Sequence, residues 1–247
     1  MKKGTETIDA RHAAAACDGV AAALDRLKID RLYGVLVHQV HDLAKPGWQH
    51  LVQALQECRA RGWVTRIGAS VYDEGELALV GGRFSPDLIQ LPFNALDRRL
   101  CASGALDRIA AQGTEVHARS VFLQGLILME PGEIPSHFAA LRGQLTELHA
   151  SWEARGLSPL AGCLRFVLQR RGISVAVVGV NQSSELEEIF AVVEHMADPH
   201  DIAATHAIRA ADTLAATAGA PAVTPDSGAA IDAIDARYVD PRKWSGT

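Results

Sequence analysis

Residues 32–38 read Leu-Tyr-Gly-Val-Leu-Val-His, and the more polar run Gln-Val-His-Asp follows at 39–42. Four of these seven side chains are aliphatic and none is charged, and a segment with helical periodicity lies on either side. A short apolar run between helices is typical of a parallel β-strand that is covered on both faces. Ligands of α/β folds bind at the carboxyl ends of such strands, so His38 is the first candidate for a catalytic residue. The alternative is a histidine that only ends the strand and is hydrogen-bonded there.

Composition narrows the class of protein. The chain has 247 residues, of which 48% are hydrophobic and 21% charged, which fits one globular domain of good size or two small ones. A net charge of -5 without strong regional bias argues against a nucleic-acid surface. No apolar run approaches the roughly 20 residues that span a bilayer. The four cysteines are far apart and form no CxxC pair, so we expect neither a zinc site nor a disulfide framework, and a reduced cytoplasmic setting.

Helical and strand patterns alternate along the chain. The periodicity predicts strands over 32–38, 65–72, 87–93, 115–122 and 173–180, and helices over 9–28, 46–62, 73–80, 100–111, 135–155, 159–171 and 184–196. Strict βα alternation with buried strands indicates either a doubly wound parallel sheet or a (β/α)8 barrel.

The domain organisation follows from this alternation. Residues 1–196 are predicted to form a barrel-like part, although only five strands are convincing. Residues 197–247 are predicted to form a tail, with one helix over 202–216. The segment 220–232 is rich in Ala, Pro, Asp and Ser, which is typical of chain that is mobile or draped over a surface.

Five patches at the predicted strand ends resemble the aldo-keto reductases in order and spacing. They are Leu36-Val37-His38, Arg-Ile-Gly-Ala-Ser at 66–70, Leu-Ile-Gln-Leu-Pro-Phe-Asn at 88–94, His-Ala-Arg-Ser-Val-Phe-Leu-Gln-Gly at 117–125, and Val178-Gly179-Val180 with Ser-Glu-Leu-Glu-Glu at 184–188. The resemblance covers about residues 9–195 and implies a TIM (β/α)8 barrel that uses a nicotinamide cofactor. The sequence resembles the family from its third helix onward, so we expect a barrel truncated at its N-terminal side.

The resemblance also implies a catalytic set. Carbonyl reduction needs a hydride donor and an acid that protonates the developing alkoxide. The family uses a tyrosine as this acid, a lysine paired to an aspartate, and a histidine that orients the carbonyl. His38 matches the histidine, and Lys2 or Lys3, just before Gly4, resembles the lysine, with Lys2 taken as the candidate. The acid tyrosine and the aspartate have no counterpart. Tyr33 lies inside a strand and Tyr72 has no paired base, so neither is favoured as a substitute acid.

The cofactor side of the resemblance is more complete. Ser70 and Gln90 match residues that hold the nicotinamide carboxamide, a polar group that needs partners when it is buried. Val71 stands where the family has asparagine, so one hydrogen bond is expected to be lost. Arg119 stands where an aromatic residue usually stacks on the nicotinamide, and a flat guanidinium can stack instead. The segment from Ser120 to Gly125 resembles the loop that wraps the pyrophosphate.

Gly179, Asn181 and Ser184 complete the expected cofactor set. Ser184 opens a Ser-Glu-Leu-Glu pattern, which predicts a capping box at a helix N-terminus that suits an anion. An ordinary helix cap would produce the same four letters without a ligand. Asn181 and Glu185 occupy positions where relatives that prefer the 2′-phosphate carry a base. A carboxylate repels that phosphate, so the resemblance favours NADH over NADPH.

Two further groups have competing interpretations. Asp97-Arg98-Arg99 is predicted to anchor a loop by ion pairing, with phosphate binding as the alternative. His38 and His41 with Asp42 are disfavoured as metal ligands, because a strand tip does not converge side chains at that spacing. No metal site is predicted.

Two functions remain open. The first is an aldo-keto reductase-type oxidoreductase that uses NAD(P)H to reduce an aldehyde or ketone, impaired because the tyrosine and aspartate are missing. The second is a non-catalytic barrel relative that acts as a binding or scaffold protein. The expected partner is a small-molecule carbonyl substrate. An incomplete barrel leaves unpaired edge strands. Three explanations are open: the true start lies upstream, another chain supplies the missing strands, or the chain associates with itself edge to edge. The first is favoured for the sequence, and for the chain as given we expect self-association or marginal stability.

Overall fold

A computed structural model describes residues 7–196 and 234–244. The chain divides into two compact units. The first comprises Met1–Leu91 and Leu100–His117, and the second comprises Pro92–Arg99 and Ala118–Thr247. Lys2, the predicted helix 202–216 and the segment 220–232 lie outside the described residues. None of the described helices is long and apolar enough to cross a membrane.

Helices and strands alternate as the periodicity predicted. The strands are β1 (Leu32–Val37), β2 (Val64–Ser70), β3 (Leu88–Pro92), β4 (Glu115–Arg119) and β5 (Val175–Ala176). The α-helices are α1 (Ala10–Leu27), α2 (Gln49–Ala60), α3 (Glu74–Gly81), α4 (Arg99–Ala102), α5 (Ala105–Ala111), α6 (Arg142–Glu153), α7 (Pro159–Leu168), α8 (Ser183–Met196) and α9 (Ala236–Val239). Single 3₁₀ turns occupy Val40–Ala44, Leu126–Leu128, Ser136–Leu141 and Pro241–Lys243.

The strands form a sheet in sequence order, β1-β2-β3-β4-β5. β1 pairs with β2 and β2 with β3 in parallel, in a register that sets Val37 beside Ala69 and Ser70 beside Gln90. The prediction of a parallel sheet is therefore confirmed for these pairs. Parallel pairing brings the carboxyl ends of the three strands to one edge, which is where ligands bind in α/β folds.

The two faces of the sheet in the first unit differ in polarity. Alternate strand residues are apolar and at most 5% exposed, and they are Val37, Ile67, Ala69, Ile89 and Leu91. The opposite face combines the buried apolar side chains of Val64 and Leu88 with the polar side chains of Arg66, Ser70 and Gln90. A Cβ at Gly68 would lie 1.7 Å from the Leu88 carbonyl oxygen, so only glycine permits this approach of β2 to β3. On the outside, α2 packs against both α1 and β2.

The second unit packs around Trp152, which is 1% exposed. A Cβ at Gly162 would lie 2.2 Å from the Trp152 ring, so α7 approaches α6 through glycine. The described C-terminal residues belong to this unit. Trp244 meets the Phe138 ring edge-on at 4.7 Å, and buried Asp240 pairs with Arg242 at 2.8 Å.

Four predicted elements are shorter or broken in the structure. The helix predicted over 135–155 begins as a 3₁₀ helix, Ser136–Leu141, and is α-helical only over Arg142–Glu153. The helix predicted over 100–111 is divided into α4 and α5, because Gly104 adopts a left-handed conformation at φ 72°. The strand predicted over 115–122 ends at Arg119, because Ser120 is left-handed at φ 57°. The strand predicted over 173–180 is reduced to Val175–Ala176. It is the last strand of the sheet, and the Val177 N–H that follows it donates to Ala118 at 2.7 Å.

Candidate functional site

Ser70 and Gln90 meet where β2 ends beside β3. Their positions are paired in the register of the sheet, and the Ser70 Oγ donates to Gln90 Oε1 at 3.3 Å. Ser70 is 4% exposed, whereas the Gln90 side chain is only half-buried. Within the described residues no protein group accepts a hydrogen bond from the Gln90 amide nitrogen. A half-buried amide with an unused donor is suited to a polar ligand, since burial without a partner is costly.

Val71 departs from the family pattern in the way the sequence predicted. Its backbone N–H donates to the Gln90 carbonyl oxygen at 2.8 Å, which continues the β2–β3 pairing. Its side chain is fully buried and has no polar atom to offer. The side-chain hydrogen bond that asparagine would provide at this position is therefore absent.

His38 follows β1 at the same edge of the sheet. Val37 is beside Ala69, so the register extended by one residue sets His38 level with Ser70 and thus with Gln90. The imidazole is exposed, and in the described part of the chain it has no hydrogen-bond partner. No hydrogen bond to a described residue ties this ring to the strand end, and its role in orienting a substrate stays a prediction.

His41, just after the same strand end, lies near the buried carboxylate of Glu76. His41 Nδ1 lies 3.9 Å from Glu76 Oε1, and Glu76 Oε2 accepts from the Tyr72 backbone N–H at 2.7 Å. Among residues 7–196 and 234–244, no three His, Cys, Asp or Glu side chains are arranged to hold a metal ion.

The loop after β4 contains a cluster of left-handed residues in the second unit. Ser120, Leu123 and Gln124 have φ of 57°, 46° and 56°, and Gly125 has φ of 86°. Non-glycine residues in this region cost about 1–3 kcal/mol each and tend to cluster where ligands bind. The surrounding structure must therefore hold this loop in a strained conformation.

Asn94 provides much of that support and was not singled out from the sequence. It is fully buried, its Nδ2 donates to the Ser120 carbonyl oxygen at 2.9 Å, and its Oδ1 accepts from the N–H groups of Leu96 and Asp97. The signal that could have identified it is an asparagine directly after the apolar run of β3. Such a residue is well suited to fix a turn because its side chain bonds to nearby backbone groups.

Arg119 ends β4 and turns toward the same loop. Its carbonyl oxygen accepts from the Phe93 N–H at 3.1 Å, and its Nη1 donates to Ser120 Oγ at 3.4 Å. The side chain is half-buried. Its expected stacking on a nicotinamide stays a prediction.

The ion-pair interpretation of residues 97–99 is confirmed. Asp97 is buried and accepts two hydrogen bonds from the Arg99 guanidinium, both at 2.8 Å. Arg98 donates to the Ala95 carbonyl oxygen and lies 4.7 Å above the Phe166 ring. These arginines stabilise a turn of the second unit.

The predicted capping box at Ser184 is wrong. α8 begins at Ser183, so Ser184 lies inside the first turn rather than before it. The backbone N–H of Asn181 instead donates to Glu185 Oε2 at 2.7 Å. Asn181 and Gly179 are exposed, and a Cβ at Gly179 would meet no atom within 4 Å. The Glu185 carboxylate lies in the first turn of this helix, and its negative charge makes the helix start less suited to an anion than the sequence suggested.

Tyr33 belongs to a separate polar cluster in the first unit. Its hydroxyl donates to Glu115, which also contacts His117 at 2.7 Å and Arg66 at 3.0 Å. The hydrogen bond to Glu115, together with burial, raises the pKa of Tyr33 above its ordinary value. A general acid needs the opposite shift, so Tyr33 is unsuited to replace the family's tyrosine.

Comparison with known proteins places the chain in a family. A model of the aldo/keto reductase family matches residues 8–210, and the chain belongs to this family. No curated protein sequence is significantly similar to it.

Solved structures agree with this assignment. The aldo-keto reductase AKR11C1 from Bacillus halodurans is similar in its apo form, with 17% identity and a TM-score of 0.60 over 76% of this chain and 64% of that one. Its holo form gives 18% identity and a TM-score of 0.60 over 74% and 60% of the two chains. The thermostable aldo-keto reductase Tm1743, in complex with the inhibitor epalrestat, gives 16% and 0.56 over 77% and 64%.

At these identities the similarity establishes the fold. The fold is of the TIM (β/α)8-barrel type, which removes the doubly wound sheet as an alternative. The chain spans about three fifths of the length of the solved structures that it matches.

Proposed function

We propose that this chain binds a nicotinamide cofactor through the carboxyl-end edge of its sheet and acts on a small carbonyl compound. The observation that carries the proposal is the Ser70–Gln90 pair, with its hydrogen bond of 3.3 Å and a Gln90 amide nitrogen that donates to no other described residue. A carboxamide presents one acceptor and two donors, so it matches a hydroxyl and an amide placed side by side. Membership of the aldo/keto reductase family supports the same assignment.

The residues have separate roles in this proposal. When bound, the cofactor supplies the hydride for reduction of an aldehyde or ketone. Ser70 and Gln90 hold the carboxamide, and exposed His38 orients the carbonyl oxygen of the substrate. The family resemblance assigns the pyrophosphate to the loop from Ser120 to Gly125, whose left-handed conformation Asn94 supports within the second unit.

Cofactor preference is expected to favour NADH. Glu185 Oε2 accepts from the Asn181 N–H at 2.7 Å, so a carboxylate is fixed beside the segment expected to face the adenosine ribose. A carboxylate repels the 2′-phosphate of NADPH.

All four cysteines are free thiols, which agrees with a reducing, cytoplasmic setting.

A second function, binding without catalysis, is favoured by two observations. The raised pKa of Tyr33 makes it unsuited as the proton donor. Val71 is fully buried and cannot hold the carboxamide as asparagine would. The lack of an acid lowers turnover and the lack of the asparagine weakens the hold on the cofactor, so we expect weak or absent turnover by this chain.

Titration of the purified chain with NADH and NADPH, followed by calorimetry, tests the proposal. We expect saturable binding that is tighter for NADH, and at least a tenfold loss of affinity, about 1.4 kcal/mol, in Gln90→Leu. Gln56→Leu, at an exposed position of α2, is the matched control and should bind as the wild type does. Absence of saturable binding to the wild type would overturn the proposal. Binding without oxidation of NADH in the presence of a generic aldehyde would favour the second function.

A further inference from the structure

Two cysteines that are distant in sequence lie in contact in the first unit. Cys17 on α1 and Cys58 on α2 are separated by 41 positions, and their Sγ atoms are 3.5 Å apart. The Cys58 thiol donates to Cys17, and the Cys17 thiol donates to the Ala54 carbonyl oxygen at 3.6 Å. Both thiols are free, so the pair is a dithiol held in register by its own hydrogen bonds.

The two sulfurs differ in their access to solvent. A surface cavity of about 370 Å³ lies along α1 and α2, and its lining includes Cys17, Asp18, Gln53, Glu57 and Arg61. Cys17 is half-buried at this cavity, whereas Cys58 lies behind it and is buried. A small oxidant that enters the cavity therefore reaches Cys17 first.

We propose that Cys17 and Cys58 are a reversible thiol–disulfide site, oxidised by hydrogen peroxide and reduced by small thiols. In the first step the Cys17 sulfur attacks one oxygen of the peroxide, the O–O bond breaks, and Cys17 becomes a sulfenic acid while one water leaves. In the second step the Cys58 sulfur displaces the hydroxyl group of that sulfenic acid. The S–S bond forms, and the Cys58 proton leaves with the hydroxyl group as a second water.

Roles within the pair follow from burial. Burial, and then the hydrogen bond with Cys17, raise the pKa of Cys58 to about 11. Cys58 is therefore a poor first nucleophile toward peroxide and is placed to resolve the sulfenic acid instead, since reactivity depends on the thiolate.

The geometry is compatible with closure of the bond. A disulfide is about 2.05 Å long, so the sulfurs have to approach by about 1.5 Å. The side chains that line the cavity beside Cys17 are small on both helices, and they include Ala13, Ala14 and Ala54. Reduction by excess dithiol restores the thiols by exchange.

The experiment oxidises the full chain with hydrogen peroxide and counts thiols after denaturation. We expect loss of two of the four thiols, a mass lower by two hydrogen atoms, and one cross-linked peptide that contains Cys17 and Cys58. Dithiothreitol should reverse all three changes. In Cys58→Ser, oxidation should stop at a sulfenic acid on Cys17 that dimedone traps.

Cys101→Ser is the matched control, and it should retain the cross-linked peptide and the full mass change. Circular dichroism of each variant before oxidation checks that it is folded, and the wild-type peptide map does not depend on any variant. A disulfide that includes Cys101 or Cys163, dimedone adducts on wild-type Cys17 without a cross-link, or no thiol loss would each overturn the proposal.

Discussion

Glu115 shows how one side chain organises groups that are far apart in sequence. It accepts from Tyr33, which is 82 positions away, and it pairs with Arg66 and His117. Burial raises the pKa of Glu115, but the hydrogen bonds from Tyr33 and His117 and the charge of Arg66 outweigh burial. The pKa of Glu115 is therefore lowered in the folded protein.

A lowered carboxyl pKa makes stability depend on pH in a definite direction. Stability from this group is present above the unfolded pKa of about 4.5 and is lost as pH falls through the folded value. We expect the free energy of unfolding, measured with urea, to decrease below pH 4.5 less steeply in Glu115→Gln than in the wild type. Glu130→Gln, at an exposed position, should follow the wild type. Equal slopes for all three proteins would contradict this role of Glu115.

Gly162 is a residue whose lack of a side chain is required by packing. Alanine there would bring its Cβ to within 2.2 Å of the buried Trp152 ring. We expect Gly162→Ala to lower the free energy of unfolding by about 2–3 kcal/mol through overpacking. Gly143→Ala in α6 meets no atom within 4 Å and should instead raise it by about 0.5–1 kcal/mol. Urea unfolding of both variants, followed by circular dichroism, distinguishes steric conflict from helix propensity.

At the scale of elements, α7 and α8 begin in different ways although both have serine near the start. Ser158 precedes α7, and its Oγ accepts from the Ala161 N–H at 3.2 Å, with Pro159 in the first turn. Ser184 lies within α8, and Glu185 satisfies the Asn181 N–H instead. Only the first serine is therefore a helix cap.

This difference predicts unequal costs for the same substitution. Ser158→Ala should lower the free energy of unfolding by about 1 kcal/mol, since it removes an N-cap. Ser184→Ala should change it by less than about 0.5 kcal/mol, as is usual for an exposed position within a helix. Thermal and urea unfolding of the two variants measure both values. A cost at Ser184 equal to that at Ser158 would restore the capping box that the sequence suggested.

At the scale of the whole molecule, the described sheet ends in strands with one unpaired side each. β1 is first and β5 is last in the strand order. Unpaired strands expose backbone hydrogen-bonding groups that can pair with a second chain. In the second unit, α8 also exposes an apolar stripe of Leu186, Phe190 and Val193, and Phe190 is 58% exposed.

We expect the self-association predicted from the unpaired edge strands to involve this stripe as well. A helix face repeated on two identical chains can pair with itself about a two-fold axis. Sedimentation velocity should show mass increasing with concentration in the micromolar range. Phe190→Lys should weaken this association at least tenfold, whereas Glu188→Lys, at another exposed position of α8, should not. A wild-type monomer throughout that range would contradict the expectation.

The sequence by itself determined the order of helices and strands, the parallel sheet and the position of Ser70 and Gln90 at strand ends. These features follow from local periodicity and from motifs within single segments, which do not depend on distant contacts. The left-handed turn at Ser120 could not be predicted from the sequence, because no residue in 115–122 interrupts the strand pattern.

Only the tertiary structure decided which distant residues meet. In the structure, the thiols of Cys17 and Cys58 are in contact and Asn94 is hydrogen-bonded to the loop after β4. The Tyr33 hydroxyl donates a hydrogen bond to Glu115. Each of these contacts depends on strand register and helix packing, which are set by the sum of many weak interactions across the fold. These interactions cannot be predicted from one segment of sequence, so contacts of this kind are found only in the tertiary structure.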